Sequence, residues 1–234
     1  MVVDIIMNTL LIIDFDSTFI TGESLDWLAE EALKSKSAGE RRIILSQIEA
    51  ITQAGMEGSR SFEDSLRQRL SLFQPNKYHI EQLVKRIEQS VTPSFVKNRE
   101  FIQQNATNIR IVSGGFHEYM DPILMSFGIP QENIYGNTFL FEGDEAIGFD
   151  SENALSKPGG KGKVVKELNL DGKVIVIGDG YTDYEIVQSG AGDIFIAFTE
   201  NITRDFVHDL KPLQASSFES VLSYLSPSSK ERVV

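Results

Sequence analysis

The chain has 234 residues, of which 41% are hydrophobic and 24% are charged, which is typical of a globular domain that carries a smaller inserted one. Its formal net charge of -12 argues against binding to nucleic acid or to an anionic membrane surface, because no basic stripe offsets it. The absence of cysteine excludes disulfides and thiolate zinc sites, and it favours the cytoplasm as the location. No segment is long and apolar enough to cross a bilayer.

Four short apolar runs predict buried parallel strands, at residues 10–13, 109–112, 174–177 and 194–198. Helix-period patterns alternate with them, at residues 95–104, 117–127, 161–168 and 183–189. This alternation predicts an α/β fold with a doubly wound, Rossmann-like parallel sheet. In such sheets ligands bind beyond the carboxyl ends of the strands, so the polar clusters that follow the strands are expected to meet at one site.

One long segment departs from this alternation. Residues 25–90 contain helical patterns only, at 25–33, 42–54, 62–72 and 80–87, and are too long for a simple connection. We interpret them as an inserted helical cap over the site, with residues 1–24 and 91–234 forming the core domain. Residues 138–149 alternate around Glu142-Gly143-Asp144, which predicts a β-hairpin.

Acidic residues follow two of the predicted strands. In LIIDFDST, Asp14 and Asp16 come directly after the first strand, and in GDGYTD, Asp179 follows a later one with Asp183 close behind. A single such carboxylate would be explained as a capping or turn residue. Several in one crevice repel each other unless a cation lies among them, and oxygen ligands without His or Cys suit Mg²⁺.

Two further motifs suggest an anion site. SGGF offers the Ser113 hydroxyl and free backbone amides at a helix N-terminus, although a plain strand-to-helix turn explains the glycines as well. KPGGKGK offers lysines that can neutralise a phosphoryl group, although a solvated basic turn is the ordinary role of such a segment. Lys161 is the preferred residue because it opens the helix before the GDG strand, and Lys157 is the alternative.

Together these pieces predict phosphoryl transfer through an aspartyl phosphate. A carboxylate beside Mg²⁺ can attack phosphorus, and a second carboxylate two residues further on the same strand face can act as general acid and then as base. The anion cradle and a lysine would take the developing charge.

The motifs DFDST, SGG, Lys161 and GDGYTD, in that order, resemble the four motifs of the haloacid dehalogenase superfamily of phosphotransferases. The stretches ITGESLDWLAEEA, GMEGSRSFEDSLRQRLSLF and SGGFHEYM are similar to those of its phosphoserine phosphatases, and the likeness covers nearly the whole chain. The resemblance implies a Mg²⁺-dependent enzyme that hydrolyses a small molecule, O-phospho-L-serine, to L-serine and phosphate, as the last step of serine biosynthesis.

The resemblance also implies roles for the residues of the core. Asp14 would be the nucleophile, and Asp16 would protonate the leaving oxygen and then activate water. The magnesium ligands would be Asp14, the backbone carbonyl of Asp16, and Asp179.

The phosphate oxygens would be bound by Ser113 and the Gly114 amide and neutralised by Lys161. Asp183 would support this lysine and the metal site. Thr182 stands where many members of the family have Asn, and it is expected to keep a hydrogen bond to the substrate.

In the cap, the resemblance implies that Glu23 faces the amino group of serine, that Arg69 binds its carboxylate, and that Met56 and Phe62 close over the substrate. An amino-acid zwitterion does need one anion and one cation. Each of these residues could instead have a purely structural role: Met56 and Phe62 in the cap core, Glu23 as a helix-start acid, and Arg69 in a surface ion pair near Glu63.

Two other functions remain as alternatives. The aspartyl phosphate could pass to an alcohol acceptor such as homoserine, or the substrate could be another small phosphomonoester. A receiver-like signalling module also uses an acidic pocket, Mg²⁺ and a lysine, but it needs neither a general acid such as Asp16 nor a cap. The sequence predicts nothing about the oligomeric state.

Overall fold

The computed structural model describes residues 8–56 and 60–225, without the side chains of Gln53 and Met56. Eight strands lie in this part of the chain: β1 (Thr9–Ile13), β2 (Ile109–Phe116), β3 (Ile134–Asn137), β4 (Phe139–Glu142), β5 (Glu145–Phe149), β6 (Lys173–Gly178), β7 (Ile194–Phe198) and β8 (Leu213–Ala215). Six of them form one parallel sheet in the order β3-β2-β1-β6-β7-β8. The predicted α/β fold with a doubly wound parallel sheet is therefore confirmed.

Eleven α-helices are found in the same described residues: α1 (Ser24–Ala32), α2 (Ala38–Met56), α3 (Phe62–Phe73), α4 (Lys77–Glu88), α5 (Pro93–Lys97), α6 (Arg99–Gln104), α7 (His117–Ser126), α8 (Gly160–Glu167), α9 (Tyr181–Gln188), α10 (Phe206–Leu210) and α11 (Phe218–Leu225). The single helix predicted at 95–104 is two helices, because the backbone leaves the helical region at Asn98. None of the helices in the described part of the chain is both long and apolar enough to cross a membrane.

The central strand β1 explains why its sequence is apolar throughout. Leu11 and Ile13 pack into the core on one face of the sheet, and Ile12 packs into a second cluster on the other face. All three side chains are at most 1% exposed. Strand β1 is paired on both sides, with Leu11 opposite Ile109 of β2 and Ile175 of β6, so it has no edge open to water.

The strand β2 is longer than predicted. We expected a strand-to-helix turn at SGGF, but the strand continues to Phe116, with an irregular register between Val112 and Phe116. Phe116 is fully buried, is paired with Asn137 of β3 and stacks on Phe139 with 3.8 Å between ring centroids. Burial of this aromatic ring extends the strand through the two glycines, and α7 begins only at His117.

Helices α1 to α4 occupy the segment predicted as the cap. The two chain segments that join it to the sheet pair with each other, through a bridge between Ile20 and Val91 and a 2.9 Å bond from the Thr21 N–H to the Ser90 carbonyl. The predicted hairpin is present as β4 and β5, and the Ala146 N–H donates to the carbonyl of Pro75, just before α4. The division into two domains stays a prediction.

Candidate active site

The candidate site lies where β1, β2 and β6 end. Asp14 follows β1 directly, Asp179 follows β6 directly, and the Asp14 N–H donates to the carbonyl of Ile177 at 3.0 Å. Ser113 lies on β2, the neighbour of β1 on its other side. The parallel register thus brings together residues that are far apart in the chain, as the strand-end rule predicts.

Three buried acids form a cluster that could hold a metal ion. Carboxylate oxygens of Asp14, Asp179 and Asp183 lie within 4.8 Å of one another. An all-oxygen set of this kind fits a hard divalent cation such as Mg²⁺. Asp183 already accepts hydrogen bonds on both oxygens, from Lys161 and from the Gly180 N–H, so a supporting role suits it better than direct coordination.

Lys161 reaches into this cluster from the first turn of α8. Its Nζ lies 2.8 Å from Asp14 Oδ1 and 2.7 Å from Asp183 Oδ1. Burial alone would lower the pKa of this ammonium group, but the charges of Asp14 and Asp183 outweigh it and raise the pKa above the usual value. The alternative residue, Lys157, has an exposed side chain outside the cluster.

The start of α8 depends on a close backbone contact. A Cβ atom at Gly160 would lie 2.0 Å from the carbonyl oxygen of Ala154, so only glycine fits there. This contact fixes the direction in which the first turn of the helix presents Lys161.

Negative charge exceeds positive charge at the site, and this raises the pKa values of two of the carboxyl groups. Burial and the charge of Asp14 raise the pKa of Asp179 to about 6, although Arg204 opposes the shift. Burial and Asp14 also raise the pKa of Asp183 to about 8, against the effect of Lys161. A divalent cation among these groups would favour their ionised forms, so the donor set and its charge both fit Mg²⁺.

Asp16 differs from Asp14 and Asp179 because its hydrogen-bond partner, Ser24, is the first residue of α1 in the helical segment. Burial and the charge of Glu23 raise its pKa well above the usual value, and hydrogen bonds from Ser24 act in the opposite direction. The Ser24 N–H donates to Asp16 Oδ1 at 2.8 Å. A carboxyl group with a raised pKa can hold a proton near neutral pH, which a general acid requires.

The predicted phosphate-binding residues Ser113 and Gly114 lie on β2, the strand next to β1, and Asp14 directly follows β1. Ser113 is 1% exposed, and its hydroxyl oxygen accepts a 3.0 Å hydrogen bond from the Gly115 N–H. Phe62 of α3 lies above Gly114, because a Cβ atom placed there would be 3.1 Å from the end of its ring. The helical segment therefore covers β2 directly at Gly114, with Phe62 at the contact.

Arg69 has no ion-pair partner within 4.0 Å in the described part of the chain. Its Nη1 donates a long, 3.4 Å hydrogen bond to Thr52 Oγ1, and among the described residues its buried Nε has no hydrogen-bond partner. Burial lowers the pKa of the guanidinium, and the nearby Asp26 opposes this. The surface ion pair considered for Arg69 belongs instead to Arg67 and Glu63, 2.9 Å apart.

Glu23 is the residue before α1, but its side chain makes no helix-capping hydrogen bond. Its Oε1 accepts hydrogen bonds from Ser17 Oγ and Arg204 Nη2, both at 2.8 Å. Ser17 has a φ of 51°, a left-handed conformation that is uncommon for serine, within the turn that follows Asp14. This turn holds Ser17 beside Glu23 and aims Glu23 at the site.

Arg204 and Asn201, which follow β7, belong to the site but were not predicted from the sequence. Arg204 Nε donates to Asp179 Oδ2 at 2.7 Å, so one guanidinium joins Asp179 to Glu23. The Asn201 side chain donates to the carbonyls of Ser17, Thr18 and Ile20 and to Thr92 Oγ1. The strand-end rule applied to β7, the neighbour of β6, would have directed attention to this loop.

Thr182 and Met56 are the predicted residues whose roles the structure defines least. Thr182 is exposed at the start of α9, beside Asp179 and Asp183 in the chain, and its substrate contact stays a prediction. Met56 ends α2, and its side chain lies outside the described residues.

The arrangement has the parts of a phosphoryl-transfer site. In the described part of the chain, the Phe15 N–H and Lys161 both contact the Asp14 carboxylate at Oδ1, so Oδ2 is left free of these two contacts. Asp16 can supply a proton, and Lys161 and a divalent cation can take negative charge.

Comparisons with known proteins point the same way. A family model described as haloacid dehalogenase-like hydrolase matches residues 11–188. The chain is 32% identical over 216 residues to a chloroplastic phosphoserine phosphatase of Arabidopsis thaliana, a match that covers 91% of this chain and 70% of that protein. It is also 32% identical to a phosphoserine phosphatase of Mus musculus, over 91% of each chain.

Among solved structures, a phosphoserine phosphohydrolase-like protein from Francisella tularensis subsp. tularensis SCHU S4 superposes with a TM-score of 0.79. It is 32% identical, and the match covers 93% of this chain and 100% of that one.

Proposed function

Because this chain belongs to the haloacid dehalogenase-like hydrolase family and to its phosphoserine phosphatase branch, we propose that it hydrolyses O-phospho-L-serine to L-serine and phosphate through a phosphorylated Asp14. The observation that carries this proposal is the charge arrangement at the end of β1. Asp14 is held by Lys161 within a buried acidic cluster, and Asp16 lies two residues away with a raised pKa.

In the first step, Asp14 Oδ2 attacks phosphorus and the bond from phosphorus to the serine oxygen breaks. Asp16 donates its proton to that leaving oxygen, so that serine departs as an alcohol. Ser113 and the Gly114 amide bind the phosphoryl oxygens, and Lys161 offsets their charge. The product of this step is an acyl phosphate on Asp14.

In the second step, Asp16 is ionised and takes a proton from water as the water oxygen attacks phosphorus. The bond between phosphorus and Asp14 breaks, which regenerates the carboxylate and releases inorganic phosphate. The proton taken from water leaves Asp16 ready for another cycle, so one residue serves as acid and then as base.

Magnesium would be held by Asp14, Asp179 and the backbone carbonyl of Asp16, with Asp183 in support. The ion would supply positive charge that lowers the repulsion between Asp14 and the phosphoryl group. The close set of carboxylate oxygens and the excess negative charge support this assignment.

Recognition of serine would depend on the helical segment and its junction. The Nε of Arg69, which has no hydrogen-bond partner among residues 8–56 and 60–225, is available for the substrate carboxylate. The two contacts of Glu23 fall on Oε1, which leaves Oε2 for the ammonium group. Phe62 lies over Gly114, where it would cover the bound phosphoryl group. These groups together match a phosphorylated amino-acid zwitterion.

The remaining alternatives differ in the acceptor or the ester. Transfer to an alcohol would use the same first step, and Asp16 would then deprotonate the alcohol instead of water. A signalling module without turnover is disfavoured, because the raised pKa of Asp16 and the residues of the helical segment serve a leaving group that such a module lacks.

Phosphate release by the purified protein tests the proposal. The assay would compare O-phospho-L-serine with phosphoethanolamine, which lacks the carboxylate, and with the phosphate ester of 3-hydroxypropanoate, which lacks the amino group. We expect the highest kcat/KM for phosphoserine, and loss of activity in EDTA and in Asp14→Asn. A higher kcat/KM for an ester without these groups would contradict the assignment of Arg69 and Glu23.

A further inference from the structure

Two buried hydroxyl groups connect the general acid to the hydrophobic core. Ser24 and Tyr119 are both 0% exposed, and the Ser24 hydroxyl donates a 2.9 Å hydrogen bond to the hydroxyl oxygen of Tyr119. Ser24 also holds Asp16 Oδ1 through its N–H at 2.8 Å. A continuous chain of contacts therefore leads from Tyr119 through Ser24 to Asp16.

The position of the Tyr119 ring is fixed by aromatic packing. The ring centroid lies 6.4 Å from that of Phe15, the residue between the two catalytic acids, and 6.1 Å from that of Phe116 at the end of β2. A Cβ atom at Gly115 would lie 3.3 Å from the Tyr119 hydroxyl, so this hydroxyl also touches the phosphate-binding strand. Packed rings of this kind leave the hydroxyl little freedom to move.

Burying a tyrosine hydroxyl beside a carboxyl group is costly unless the hydroxyl is hydrogen-bonded. Burial and the charge of Asp16 raise the pKa of Tyr119 well above its usual value, so this hydroxyl keeps its proton. Ser24 lies between the two groups and can both donate and accept. The N–H of Ser24 holds Asp16 Oδ1, while the hydroxyl of the same residue is held by Tyr119, so the Tyr119 contact fixes the residue that donates to Asp16.

We propose that Tyr119 and Ser24 are positioning residues for Asp16: the hydrogen bond between their hydroxyl groups fixes the start of α1, and the Ser24 N–H there holds the Asp16 carboxyl group in line with the leaving oxygen and with the attacking water. This inference rests on the proposed phosphatase function and adds two residues to it. Tyr119 acts only through Ser24, and the pair contributes to the chemical steps without binding the substrate.

A double-mutant cycle on phosphoserine hydrolysis tests this role, with Ser24→Ala, Tyr119→Phe and the double variant. Each single change should lower kcat about five- to ten-fold, the effect of one neutral hydrogen bond, while KM stays within about two-fold. The double variant should be no slower than Ser24→Ala, because Tyr119 acts through Ser24. Tyr78→Phe, at a 62% exposed position, is the matched control and should equal the wild type.

Thermal unfolding of each variant separates positioning from folding. Multiplied effects in the double variant, or a loss confined to KM, would overturn the inference. So would a kcat in Tyr119→Phe equal to that of the wild type. These results concern the positioning role alone, whereas a wild-type protein that releases no phosphate from phosphoserine would overturn the proposed function and this inference with it.

Discussion

Asn in place of Asp179 should stabilise the metal-free protein at alkaline pH and abolish its stabilisation by Mg²⁺. The native carboxyl group holds its proton up to a pKa of about 6, against 3.8 for an unperturbed carboxyl group. The native state therefore binds more protons than the unfolded state between these pH values, and the free energy of unfolding falls as pH rises through them. Asp183, with a pKa of about 8, extends the same trend to higher pH.

The size of the effect follows from the shift. Raising the pKa of Asp179 from 3.8 to about 6 corresponds to about 3 kcal/mol, at about 1.4 kcal/mol for each pKa unit. For a chain of this length that is a change in Tm of roughly 6–12 °C. This figure already includes the attraction of Arg204, which lies 2.7 Å from Asp179 and opposes the upward shift of its pKa. Saturating Mg²⁺, at about 100 times its Kd, would stabilise the wild type by about 2.7 kcal/mol.

The assay is thermal unfolding in EDTA and in Mg²⁺ at pH 5 and pH 8. The difference between Asp179→Asn and the wild type in EDTA should grow toward pH 8, and Mg²⁺ should raise the Tm of the wild type more at pH 8 than at pH 5. Asp144→Asn, whose side chain is 82% exposed, is the control. An undiminished Mg²⁺ shift in Asp179→Asn, or equal Mg²⁺ shifts of the wild type at both pH values, would refute the reasoning.

Three further substitutions test separate parts of the site. Lys161→Ala should abolish phosphate release, because Asp14 and the phosphoryl group lose their buried cation, whereas Lys157→Ala should keep wild-type rates; equal losses in both would be contrary evidence. Arg69→Met should raise KM for phosphoserine roughly 10- to 100-fold, as expected for a lost charged hydrogen bond, and leave KM for phosphoethanolamine unchanged, with Arg67→Met as the control. Asp16→Asn should slow phosphoserine hydrolysis by about 10²–10⁴. Its burst of nitrophenolate from p-nitrophenyl phosphate should fall much less, since that leaving group needs no proton, and equal losses on both esters would count against a general acid.

The sequence was sufficient for the sheet and for the acids at its edge. The fully apolar runs before Asp14 and Asp179 indicate buried parallel strands. Because parallel strands have their carboxyl ends at the same edge of the sheet, the same pattern predicts that the two acids lie close together. The sequence also favours Lys161 over Lys157 as the lysine of the site, because only Lys161 lies at the start of the helix before the next strand.

Other features depend on contacts between distant parts of the chain. Arg204 lies in an ordinary polar loop after β7, and only the folded structure shows that it joins Asp179 to Glu23. The extension of β2 through two glycines depends on Phe116 stacking on a residue of β4, which no local pattern contains. Tyr119 has the spacing of an ordinary core residue, and its hydroxyl gains a role only from Ser24 at the start of α1.

The most direct test of the proposed mechanism is to trap the intermediate on Asp14. The purified protein would be mixed with phosphoserine and Mg²⁺, quenched in acid within a single turnover, and digested for mass spectrometry. We predict a hydroxylamine-sensitive phosphate on the peptide that contains Asp14, absent in Asp14→Asn and enriched in Asp16→Asn reacted with an aryl phosphate. Phosphate release at the wild-type rate by Asp14→Asn, or a phosphorylated residue elsewhere, would contradict the mechanism.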